Sequence, residues 1–154
     1  MNEDLLILEL NARWQWQIPF GWIPISGDEI IADTEIYRAD YFDFFAPEIT
    51  EAIERIYNLT ELYELFEDGQ VGIRSIADCT FFYDGLERLY TDKSFRFMLY
   101  FSHETSVTAG GKELLDEIHK IWPEYKHHLW QADYWKSLFH PGGFLTMPSC
   151  SPYK

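Results

Sequence analysis

The stretch from Ser94 to Lys120 constrains the fold of this chain more than any other. Phe95, Phe97, Leu99 and Phe101 fall on one face at a period of two, with Arg96, Met98, Tyr100 and Ser102 on the other. That alternation is the mark of a strand. After Gly110-Gly111 the period changes. Leu114, Leu115, Ile118 and Ile121 or Trp122 recur at helical spacing until Pro123 ends the run. A chain carrying both periods so close together must pack a sheet against at least one helix.

Other segments extend the pattern. Trp14, Trp16, Ile18, Phe20 and Trp22 alternate with polar residues, and Pro19 among them predicts an edge strand or extended arm. The apolar run before it, from residue 3 to 12, fits a buried strand or a short helix equally. Between Asp28 and Phe45 acids and apolar residues alternate irregularly, which reads as strand or loop. Pro47, with Glu48 and Glu51 behind it, predicts a helix start, and Ile49, Ile53, Ile56 and Tyr57 continue it. Thr60 then reads as the cap of a further helical turn through Leu62, Leu65 and Phe66, stopped by Asp68-Gly69. Residues 71 to 76 and 79 to 83 read as strands, followed by a turn at Asp84-Gly85. A short helix is expected between Tyr125 and Phe139, with an irregular tail after it. The sum is an α+β fold: one domain over residues 1–154, a mostly antiparallel sheet packed by two to four helices.

Composition supports a folded core. The chain is 47% hydrophobic and 18% aromatic, too rich in apolar residues for a disordered chain. Cys79 and Cys150 are far apart and form no CxxC, so two free thiols in a reducing cytoplasm are expected. The acidic opening Met1-Asn2-Glu3-Asp4 is unlike a signal peptide. The run Leu5 to Leu8 is far short of the ~20 apolar residues needed to span a bilayer. A cytoplasmic protein without membrane attachment is expected.

No catalytic or cofactor motif is complete. His103-Glu104-Thr105-Ser106-Val107 begins like HExxH, but Val107 stands where the second zinc-binding His is required. Parity puts His103 on the face of Phe95 to Phe101, as a His ending a core strand. Gly110-Gly111-Lys112 lacks the first glycine and the Ser or Thr of a phosphate loop, with Ser106 and Glu113 in their places. The two glycines read instead as a bend between strand and helix. His127 and His128, adjacent in sequence, cannot point at one metal from a helix. Neither metal nor cofactor is expected, and twenty-six acids make any one pair of carboxylates uninformative.

Charge is the remaining signal. Residues 1 to 70 carry sixteen acids against three arginines, whereas residues 71 to 154 carry ten acids against nine Lys and Arg. Such a first half excludes a nucleic-acid or anionic-membrane surface, which needs clustered Lys and Arg. Aromatics are interleaved with these acids at Asp40-Tyr41-Phe42-Asp43-Phe44-Phe45. An interface uses both, aromatics for binding energy and complementary charge for rate and selectivity. Asp40, Tyr41, Phe42, Asp43 and Glu48 are therefore candidate protein-binding residues. Trp130 and Trp135, beside Asp133 and Tyr134, form a second such mixture.

A small, acidic, cysteine-poor, aromatic-rich domain of this kind resembles, at the level of class, bacterial immunity proteins that neutralise basic toxins. The function expected is that of a non-enzymatic protein-binding module, an immunity-type inhibitor of a basic partner protein. The alternative is a small-molecule or carbohydrate-binding domain, enzymatic or not, with an aromatic-lined pocket.

Overall fold

The structure, a computed structural model, describes residues 3–14 and 31–130. Its centre is one six-stranded sheet in which every pairing is antiparallel, in the order β1-β6-β5-β4-β2-β3. The strands are β1 (Thr34–Arg38), β2 (Glu61–Phe66), β3 (Val71–Ser75), β4 (Arg88–Thr91), β5 (Met98–Ser102) and β6 (Ser106–Gly110). Among the described residues four α-helices accompany them: α1 (Glu3–Trp14), the single turn α2 (Ala39–Phe42), α3 (Ala46–Tyr57) and α4 (Lys112–Ile121). The α+β architecture with an antiparallel sheet is as the sequence predicts.

Both faces of the sheet are covered. On one, α3 and α4 lay Ile49, Ile53, Tyr57, Leu114 and Ile118 over Tyr37, Tyr90, Leu99, Phe101 and Val107. On the other, α1 sets Leu6, Leu10 and Trp14 against Leu65, Leu89, Met98 and Tyr100. Every residue of β5 and β6 is buried. This double burial explains where sequence patterning misleads, since a strand covered on both faces loses its polar alternation.

Residues 61–66 are a case in point: the Leu62–Leu65 spacing predicts helix, but the segment is strand β2. Leu62 enters the cluster under α3 and α4, and Leu65 the cluster under α1. Asp68-Gly69 is accordingly a hairpin turn rather than a helix stop, with Gly69 at φ 89° and Phe66 N–H bonded to Gln70 O at 2.9 Å. The strand expected from Ser94 starts only at Met98. Phe95, at φ 56°, sits in a turn held by its own N–H on Asp92 O (3.1 Å). It joins the α1 cluster, on the face opposite Phe97, Leu99 and Phe101.

Residues 79–83 form no strand either. A 3-10 turn at Ile76–Asp78 interrupts the chain, and Thr80 N–H is bonded to the Tyr90 hydroxyl (2.9 Å) instead of a strand neighbour. At the amino end the ambiguous run resolves as helix α1, and Trp14 belongs to it rather than to a strand. The remainder of the predicted Trp14–Trp22 strand lies outside the described residues. The predicted helix from Tyr125 is a 3-10 turn over Tyr125–His128, after which Leu129 bridges to Tyr37; residues 131–139 lie outside the description.

Two glycines let α4 follow β6 directly. Gly111 takes φ 112°, and a Cβ there would stand 2.5 Å from Arg96 O. A Cβ on Gly110 would stand 2.9 Å from the Trp14 ring. The Gly-Gly pair is thus the bend that the sequence predicts, and it also admits α1 to the sheet. Among the described residues no helix is long and apolar enough to cross a membrane.

Candidate functional site

The acidic, aromatic run is not extended chain. At the end of β1 the Ala39 N–H bonds to Thr105 O (2.9 Å), and the backbone coils through α2 and a 3-10 turn at Asp43–Phe45 straight into α3. Of the strand or loop expected over 28–45, residues 28–30 lie outside the described residues; the expectation holds for β1 and fails for 39–45. The missed signal is in the sequence: Phe42, Phe45, Ile49 and Ile53 continue one helical stripe backwards from α3.

That coiling sorts the candidate residues. Phe42 is fully buried, its ring 6.0 Å from Tyr37 and 6.1 Å from Phe101, so it belongs to the core and not to a docking surface. Tyr41 is half-buried; its ring lies 3.8 Å from that of His128, and the Arg38 guanidinium lies 5.2 Å from its centroid. Asp40 is exposed and paired with Arg38 at 3.5 Å. Asp43 and Glu48 are exposed. The aromatic presented to solvent in this run is Phe44, at 76% exposure. Trp130 is half-buried against the α1 cluster, with its N–H on Ile36 O (2.9 Å), and so lies outside this face. Trp135 lies outside the described residues.

What the sequence does not reveal is the opposite wall. The loop after the 3-10 turn at Ile76–Asp78 runs beside the start of α3 and encloses an open groove of about 300 Å³. Asp43, Pro47 and Thr50 line one side; Cys79, Phe81 and Phe82 line the other. Phe81 anchors the loop, its ring 5.1 Å from Tyr90 and 5.9 Å from Phe101, while Phe82 remains 52% exposed. Beneath it, buried Glu64 accepts hydrogen bonds from the Tyr90 hydroxyl (2.5 Å) and Arg74 Nε (2.9 Å).

The electrostatics of the groove are one-signed. Among the described residues the Asp43 carboxylate makes no ion pair or hydrogen bond, and no Lys or Arg lines the groove. Burial, and then the neighbouring Asp40, hold its carboxyl above the ordinary aspartate pKa. The Cys79 thiol is a weak acid. Burial and then Glu64 push its pKa up to about 12, so the thiolate is scarce near neutrality.

Two histidine sites stand apart from the groove. His103 is not in the core as its parity predicts; it begins the β5–β6 turn, with its side chain 61% exposed. Its Nδ1 lies 2.9 Å from Glu87, a buried carboxylate that also accepts from the Tyr100 hydroxyl (2.7 Å) and the His103 N–H (3.1 Å). His119 contacts Glu35 through Nε2 and stacks on Tyr125 at 3.8 Å. Among the described residues no three His, Cys, Asp or Glu are placed to hold one metal ion. No family model, curated protein or solved structure matches the chain.

Proposed function

We propose that this protein is a non-enzymatic binding module that docks a basic protein on the face formed by α2, the start of α3 and the loop at residues 79–82. The observation carrying this reading is the groove itself. It sets the Asp43 carboxylate, from the acidic first half of the chain, opposite exposed Phe82, and exposed Phe44 follows Asp43 directly in sequence. A partly desolvated anion without a cation is unfavourable in the free protein and becomes favourable when a partner supplies the charge. Aromatic side chains at the centre of such a patch are the usual source of binding energy. Inhibition of a basic toxin by an immunity-type protein is the form of docking that fits this surface.

The test is capture of partners from the native host, followed by association and dissociation kinetics at two salt concentrations. Charge reversal at Asp40, Asp43 and Glu48 should slow association and flatten its salt dependence, because exposed charges act on encounter and are screened over ~8 Å at physiological salt. Phe44→Ala should instead speed dissociation. A partner whose affinity ignores both salt and these residues rejects the reading. Recovery of a bound sugar or metabolite in place of a protein rejects it in favour of ligand binding.

A further inference from the structure

We infer that the groove between α3 and the loop at residues 79–82 is an arginine-reading pocket, in which a partner's guanidinium pairs with Asp43 and stacks on Phe82. The inference rests on the docking reading above and goes further, naming the group that the groove selects. Two features favour arginine over lysine, and a third suits the stem of either. The single charged group lining the groove is a carboxylate, and a planar guanidinium can engage it through two parallel N–H donors. The half-exposed ring of Phe82 offers a flat apolar surface, on which a guanidinium stacks more readily than a strongly hydrated ammonium. Pro47 supplies an apolar wall suited to the methylene stem of a long side chain.

The groove is also ready-made. Phe81 fixes the loop to the core through Tyr90 and Phe101, and the Thr50 hydroxyl is already occupied by Ala46 O (2.8 Å). The charged acceptor left to meet an incoming cation is Asp43, and the Thr50 oxygen keeps a lone pair to accept beside it. A groove of about 300 Å³ matches the lower end of ligand-pocket sizes, room for a side chain rather than a folded element.

The experiment needs no identified partner. Isotope-labelled protein is titrated with a capped Gly-Arg-Gly peptide, and separately with the lysine and citrulline analogues, while backbone amide resonances are followed. The arginine peptide should give saturable shifts at Asp43, Thr50, Cys79 and Phe82, with affinity about tenfold above that of either analogue. Asp43→Asn should abolish the preference for arginine over citrulline. Phe82→Ala should reduce the preference over lysine, with the remaining resonances unmoved in both variants. Equal binding of the lysine peptide, shifts dispersed over other acids, or no saturable shift would overturn the inference. The docking reading fails separately, when no protein partner is captured. A captured partner sensitive to Asp40 and Glu48 but indifferent to Asp43→Asn and Phe82→Ala leaves that reading standing and removes the pocket.

Discussion

Neutralising Asp43 should make the protein slightly more stable. The carboxylate has no hydrogen bond to lose, and its charge is disfavoured first by burial and then by Asp40. A native pKa above the unfolded one means that the folded state holds its proton more tightly, so the charged form opposes folding near neutrality. Asp43→Asn removes that opposition. The expected gain is small, within the ~0.5 kcal/mol typical of surface substitutions, and would be read as a rise in the denaturant midpoint at neutral pH. A clear loss would show that the carboxylate serves the helical turn it begins. Phe44 makes the same point from the apolar side, since its 76% exposure is unneeded by the core that takes in Phe42 and Phe45.

At the scale of elements, the centre of the sheet carries the stability. Phe97 and Leu99 are fully buried, and the Phe97 ring stacks on Tyr57 at 4.5 Å. Truncation of either to Ala should cost about 2–5 kcal/mol in denaturant melts. Away from the groove, Glu87 ties the entry to β4 to the β5–β6 turn. Burial alone would raise that carboxyl, but hydrogen bonds from Tyr100 and from the side chain and backbone of His103 outweigh it and leave the pKa lowered. His103 is raised from 6.5, first by its hydrogen bond to Glu87, with Glu104 and Glu67 also nearby. The signs follow. The His103 contribution is complete below about pH 6.5 and disappears as pH rises through its elevated native value. The Glu87 contribution is present above the ordinary Glu range and is lost as pH falls through its lowered value. Melting temperature measured against pH should therefore fall on the alkaline side of the histidine titration, and His103→Gln should flatten that fall. An unchanged profile would mean that the contact contributes nothing. The sequence shows elements with one wet face or a clear stop, such as α3 after Pro47 and α4 before Pro123. It hides those covered on both faces, such as β2, where the Leu62–Leu65 spacing imitates a helix. Asp43 and Glu48 were legible as surface acids from composition. Phe82 was not, because its place beside Asp43 depends on a loop that no local pattern marks.

For the whole molecule, a net charge of −14 spread over 154 residues means self-repulsion in the compact state. Several exposed pairs offset little of it, including Lys112–Asp116 at 3.0 Å and Arg38–Asp40 at 3.5 Å, since solvent and salt screen such pairs. Raising sodium chloride from a few millimolar to ~0.15 M shortens the Debye length to ~8 Å, and the melting temperature should rise as the repulsion is screened. A fall would show that the pairs outweigh the repulsion. Topology sets a further condition, on synthesis. β1 lies at the sheet edge against β6, so Thr34 meets Gly110 and Arg38 meets Ser106 across most of the chain. At a ribosomal rate of ~5–20 residues per second, β1 waits roughly 4–14 s after its own emergence before its partner strand exists. The pairings β2–β3 and β4–β5–β6 join strands close in sequence and carry no such wait. The half of the groove that follows β1 is therefore made first and positioned last, so a nascent chain acquires the assembled groove only when β6 has left the ribosome.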